Sequence, residues 1–108
     1  MARAGKLRHK LRLLQRVETG RDAANEPTYD YTPASPPAWA SKRQPGGREF
    51  FADGQVQNEI TTVFDIRYRE DVREDWRVEL DGEQYDIRHV TDPAGTRRDL
   101  VLACVLRR

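Results

Sequence analysis

Two histidines, one cysteine and a dense mixture of carboxylates and guanidiniums are the groups in this 108-residue chain that could carry chemistry. His9 and His89 lie far apart, and neither sits in a spacing that would gather metal ligands. Each is expected to be a strand residue with a satisfied hydrogen bond. Cys104 falls inside the apolar run 100–106, so it reads as a small buried hydrophobe rather than a reactive thiol. With a single cysteine there is no internal disulfide, which fits a reducing site of synthesis. Asp65, Glu70, Asp71, Glu74, Asp75, Glu79, Asp81, Glu83 and Asp86 interleave with Arg67, Arg69, Arg73, Arg77 and Arg88. Such mixing marks solvated strand faces with weak ion pairs. A carboxylate pair for glycoside-type acid–base work would need a cleft. Gly46-Gly47-Arg48 lacks the Gly-Lys-Ser/Thr of a phosphate loop. No Ser–His–Asp or Cys–His arrangement stands out. The expectation is therefore a protein that is not an enzyme, with no catalytic residues, no metal and no cofactor.

Charge and composition narrow the choice of partner. Nineteen Lys and Arg against eighteen Asp and Glu leave a net charge of +1, which does not point to nucleic-acid binding. The distribution is uneven, because residues 1–16 carry Arg3, Lys6, Arg8, Lys10, Arg12 and Arg16 with no acid. A solvated face of a terminal segment explains this run more simply than a phosphate-binding patch. No apolar stretch is long enough to span a membrane. The basic N-terminus has no apolar segment of the secretory kind. Hydrophobic residues make up 37% and charged residues 34%, a polar balance, but the apolar residues are patterned. One domain, 1–108, is the most this length allows.

Three stretches must position whatever these groups do. Residues 7–18 alternate: Leu7, His9, Leu11, Leu13 and Val17 share one parity, and Arg8, Lys10, Arg12, Arg16 and Glu18 the other. Period two argues a half-buried strand, although Leu7, Leu11 and Leu14 also fit one face of a helix. Residues 19–37 hold Pro27, Pro33, Pro36 and Pro37 with Gly20 and Asn25, which predicts a long flexible loop. Loops this long are usually functional or disordered. Tyr29 and Tyr31 are its candidate anchors to a partner. Residues 39–43 are a short strand candidate. Residues 48–57 read as a short helix with Phe50, Phe51 and Val56 as its apolar residues, weakened by Gly54.

From residue 58 onward the β signal is strong. Ile60, Thr62, Phe64, Ile66 and Tyr68 alternate with polar residues, Trp76, Val78 and Leu80 continue the pattern, and Asp81-Gly82 is a hairpin turn signal. Tyr85, Ile87 and His89 form the return strand. The last run, 100–106, is apolar on both parities and should lie centrally. Short antiparallel strands at this spacing imply a small barrel or sandwich. Phe64, Ile66, Trp76, Val78, Leu80, Ile87, Leu102 and Cys104 are the expected core.

Read in order, these segments resemble the phage head–tail joining, or head-closure (stopper), proteins, which also occur in prophages and gene transfer agents. The resemblance rests on Leu7-Arg8-His9-Lys10-Leu11, Trp39, Gly47-Arg48-Glu49-Phe50-Phe51-Ala52, Gln55-Val56-Gln57, Glu59-Ile60-Thr61 and Ile66-Arg67-Tyr68-Arg69. It continues through Trp76-Arg77-Val78, Gly82, Tyr85-Asp86-Ile87 and the ending Leu100, Leu102, Cys104, so it covers nearly the whole chain. It implies a mainly β fold: a small antiparallel β-barrel of about six strands with one short helix and a long loop in the N-terminal half. It also implies a structural virion protein of the neck or connector, assembled in the bacterial cytoplasm. Such a subunit forms a homo-oligomeric ring, twelve-fold, below the portal and its adaptor. The ring closes the DNA-filled head and presents the surface to which a tail docks. Its partners would be the portal and adaptor ring proteins and the tail terminator or tail tube proteins, with DNA passing through the channel without sequence-specific contacts. Tyr29, Tyr31, Arg48, Glu49, Phe50 and Gln55 are the candidate protein-interface residues. Two alternatives stand beside this reading. One is a nucleic-acid-binding small β-barrel, against which the basic run lacks interleaved aromatics. The other is a different neck or tail-completion protein of the same machine.

Overall fold

The computed structural model describes residues 7–45, 51–52, 55–56, 60–93 and 95–107. Eight strands run through them: β1 (His9–Arg21), β2 (Pro27–Arg43), β3 (Phe51–Ala52), β4 (Gln55–Val56), β5 (Thr62–Arg67), β6 (Arg77–Leu80), β7 (Glu83–Thr91) and β8 (Asp99–Leu106). Six close into an antiparallel barrel in the order β1-β2-β5-β8-β7-β6, with β6 returning to β1. β3 and β4 pair as a separate two-stranded ribbon. The expected small antiparallel barrel is therefore observed. Closure leaves the barrel strands without free edges over the paired stretches.

Alternation fills the interior. Leu11 and Leu13 from β1, Ala40 from β2, Phe64 and Ile66 from β5, Val78 from β6, and Leu102 and Cys104 from β8 have no solvent exposure. All of the expected core residues, including Trp76, Leu80 and Ile87, are buried. Phe64 and Tyr85 meet edge to face at 5.2 Å, the arrangement the aromatic quadrupole favours. β5 and β8 are buried on both faces, because Val63 and Ala103 join Ile60 in a second apolar cluster separate from the main core. That is why 100–106 is apolar on both parities. At the β6–β7 hairpin, Asp81 and Gly82 both take positive φ, 53° and 83°, as a two-residue primed turn requires.

Two expectations are overturned. No helix occurs among the described residues, and the stretch predicted as helix contains β3 and β4 instead, paired Phe51↔Val56 and Ala52↔Gln55. The apolar residues there suggested a helical face, but the sequence also holds Asp53-Gly54, a dipeptide frequent in hairpins, a signal that competes with the weak helical spacing. The rest of the 48–57 segment lies outside the described residues.

The second correction concerns 19–37. This stretch is not a loop: β1 continues to Arg21, β2 begins at Pro27, and only 22–26 is turn. The prolines are tolerated for positional reasons. Pro27 is the first residue of its strand. Pro36 and Pro37 lie in a bulge, since Leu11 faces Ala38 while Leu13 already faces Ala34. Along 27–37, β2 has only β1 beside it, because its pairing with β5 starts at Ala40, so its far side is an edge where a missing N–H leaves no ladder bond unmade. The turn is set by Asp22, whose Oδ1 accepts hydrogen bonds from Ala24 N and Glu26 N at 2.9 and 3.0 Å. Asn25 takes the left-handed position, φ 65°, which Asn tolerates better than most residues.

Candidate functional site

The β1–β2 hairpin outruns the barrel. β1 pairs with β6 only at Arg12, Leu13 and Leu14, and β2 pairs with β5 only from Ala40 to Arg43. Beyond those contacts, 15–21 and 27–32 pair with one another alone, so they form a two-stranded arm. At about 3.3 Å per residue the arm extends roughly 20 Å past the last β1–β6 pair. Nearly all of its residues from 16 to 30 are exposed.

Arginines brace its base. The Arg77 guanidinium on β6 lies 3.6 Å from the centre of the Tyr31 ring, and that of Arg16 lies 4.1 Å from the centre of the Tyr29 ring. Each is a cation–π contact, worth about 0.5–1 kcal/mol where solvent reaches it. Arg77 Nε also donates to Asp86 Oδ1 at 3.0 Å, and Arg107 donates to both oxygens of Asp86, at 3.2 and 3.0 Å. Arg16 pairs with Asp75 at 3.1 Å. Arm, β6, β7 and the end of β8 are thus tied through one chain of planar stacking and ion pairs. A second tie lies nearer the barrel's own end of β2. The Arg69 guanidinium donates to the Pro36 carbonyl and holds Asp71 through Nε and Nη2. That hydrogen bond is the main reason the Asp71 carboxyl is held below its ordinary value.

A third feature lies at the opposite end of the same hairpin. Trp39 is 54% exposed, the most exposed of the large hydrophobic residues described. Its cross-strand partner is Lys10, and Arg8 and Arg12 are exposed neighbours at the same parity. Beside them Lys10, Arg12, Pro33, Ala34 and Pro37 line a cleft of about 390 Å³. Arg12 also pairs with Glu79 at 3.3 Å.

The expected interface residues are only partly brought together. Tyr29 is 39% exposed on the arm, whereas Tyr31 is half-buried beneath Arg77. Gln55 lies in β4 opposite Ala52. Arg48, Glu49 and Phe50 lie outside the described residues. Sequence reasoning missed Trp39 as a surface residue. Its signal was present in the small residues on either side, Ala38 and Ala40, which occupy the inward positions and turn Trp39 outward. Burial, with a lesser push from the charge of Asp86, raises the Cys104 thiol far above the usual range and keeps it protonated. Among the described residues no three His, Cys, Asp or Glu side chains form a group able to hold a metal.

The described residues thus form a small closed barrel with a braced arm and a basic cleft beside the exposed Trp39. The family is given by comparison: a model of the phage head completion proteins matches residues 2–107, and the chain belongs to that family. Its role is structural, in completing the phage head, which places it with the virion and in contact with other head or tail proteins. The fold has a solved counterpart in the solution structure of protein SF1141 from Shigella flexneri 2a, 22% identical, with a TM-score of 0.70 over 97% of this chain and 96% of that one. No curated protein matches.

Proposed function

We propose that this protein is the closure subunit of the head–tail connector, a non-catalytic homo-oligomeric ring seated below the portal and its adaptor. In this reading twelve copies surround the channel, retain packaged DNA and present the surface on which a tail assembles. Family membership supports the setting. The observation that carries the reading is the arm: a two-stranded extension, stiffened at its base by Arg77 and Arg16, suits a subunit that must reach a neighbour. Charge agrees with it. A closure ring must hold DNA by geometry, since each phosphate contact adds salt-sensitive affinity that would brake ejection. A net charge of +1 supplies little of that.

Deleting the gene tests this assignment. Expected are free tails beside heads that have packaged DNA and then leak it, as seen by electron microscopy and nuclease sensitivity. Normal infectious virions, or heads that never begin packaging, would defeat it.

One observation favours a second reading. The cross-strand register sets Trp39 among Arg8, Lys10 and Arg12, which supplies the interleaved aromatic that the basic run lacks in sequence. A platform for single-stranded nucleic acid would show steep salt-dependent affinity in the isolated subunit.

A further inference from the structure

The arm and the cleft beside Trp39 carry opposite charge. Between residues 17 and 30 there are four acids, Glu18, Asp22, Glu26 and Asp30, all exposed, against one base, Arg21. The barrel end of the same hairpin presents Arg8, Lys10 and Arg12 around Trp39, with Glu79 as the acid paired there. The tip of the arm cannot reach the Lys10 end within one molecule. Asp22 and Glu26 lie beyond Arg21, itself eleven residues along β1 from Lys10, or about 35 Å of extended chain, while Val17, Glu18, Tyr29 and Asp30 lie between the two ends. A ribbon cannot bend back over its own length while its ladder stays paired.

We infer that the acidic arm of one copy docks on the Lys10–Arg12 cleft beside Trp39 of the next copy, a head-to-tail contact between identical chains. The inference rests on the ring reading above and deepens it by naming the two surfaces. The cleft is floored by Pro33, Ala34 and Pro37, and it is large enough for an apolar side chain. Val17 and Tyr29 are the exposed apolar residues of the arm, 40% and 39% accessible; they lie on opposite faces of the ribbon, and because Arg16 stacks on Tyr29 it is Val17 that would enter the cleft. Lys10 and Arg8 would face the carboxylates that flank them. Such an interface is heterologous: each copy uses a different patch for each neighbour. Repetition gives a ring where the rotation closes and a filament where it does not.

A charge-swap experiment on the purified full chain tests this. The arm is reversed by Glu18→Lys, Glu26→Lys and Asp30→Lys, leaving Asp22 because it builds the turn. The cleft is reversed by Arg8→Glu and Lys10→Glu, leaving Arg12 because it pairs with Glu79. All five positions are exposed, and unchanged melting temperatures check that both variants fold. Each variant alone should associate less than the parent chain in low-salt sedimentation. Their equimolar mixture should associate about tenfold more tightly than either alone, because every arm then meets a cleft of opposite sign. Adding Trp39→Ala to the cleft variant should weaken the mixture again. A mixture no tighter than its components, or one indifferent to Trp39→Ala, would overturn the inference. So would the other occupant: capture of a single-stranded thymidine oligonucleotide by the parent chain, lost on cleft reversal, with no gain in the mixture. The measurement uses no particles, so a deletion phenotype that defeats the closure role and a mixture that fails to associate are separate results.

Discussion

Asp86 shows how much of this protein is decided by single side chains. Its carboxylate is shared by Arg77 and Arg107, and Arg77 in turn lies flat on Tyr31. Arg suits this position because a planar guanidinium can stack and donate at once, which a lysine ammonium cannot do. Asp65 is treated similarly on another face: it is 6% exposed, and Arg43 binds it through Nε at 2.8 Å while Ser41 Oγ donates at 3.1 Å. These partners offset the cost of removing a charge from water. The barrel interior follows different rules. Phe64 and Leu102 are paired across β5 and β8 and have no exposure, so truncating either leaves a cavity that neighbouring strands, fixed by their ladders, fill poorly. Phe64→Ala and Leu102→Ala should each lower unfolding free energy by about 2–5 kcal/mol in denaturant titration. In a domain this small that is a large share of the total. An unchanged transition midpoint would mean that the inward parity of β5 is misassigned.

The arm is the element whose behaviour is least explained by the core. Its strands bury almost nothing, and an isolated two-stranded hairpin is marginal in water. Its order must come from its ends: the Asp22–Asn25 turn at the tip and the Arg77–Tyr31 and Arg16–Asp75 contacts at the base. Arg77→Ala should therefore loosen the arm without melting the barrel. Amides of 15–21 should exchange several-fold faster in hydrogen–deuterium exchange, while β5 and β8 stay protected; equal protection of the arm in the variant would show that the stack carries no weight. The same element shows what the sequence could tell and what it could not. The barrel strands were legible because inward and outward residues alternate from Phe64 to Ile87. The arm was not, because its prolines and polar residues carry the composition of a loop. What makes it a strand is its partner: 27–31 is strand because 16–21 lies beside it, and a non-local pairing leaves no local pattern. Likewise the exposed Trp39 and the basic run were each visible, but their meeting depends on the register Lys10↔Trp39, which passes through the Leu11/Leu13 shift. Tyr31, picked out as an anchor for a partner, also packs beneath Arg77 within the chain, a contact that depends on β6 lying beside the arm.

At the scale of the whole molecule the question is whether the subunit assembles by itself. A flexible 19–37 would have opposed assembly through the entropy of ordering it, but those residues are already strand and turn, so little ordering remains. Opposition comes instead from rigid-body association, which costs about 4–15 kcal/mol of translational and rotational freedom per copy. Against this a narrow arm offers a small contact, mostly polar and screened by salt. A closed ring gains one extra contact when its last subunit enters, yet every earlier intermediate is an open chain held by single weak contacts. A pre-existing ring of head proteins changes the balance: subunits bound side by side on it meet at high effective concentration, and each arm–cleft contact becomes intramolecular. The free protein should therefore sediment as a monomer at low micromolar concentration in physiological salt, and form rings only on packaged heads. Analytical ultracentrifugation showing a stable closed ring under those conditions would mean that the contact is far stronger than the arm alone can make, and that the head is not needed as its template.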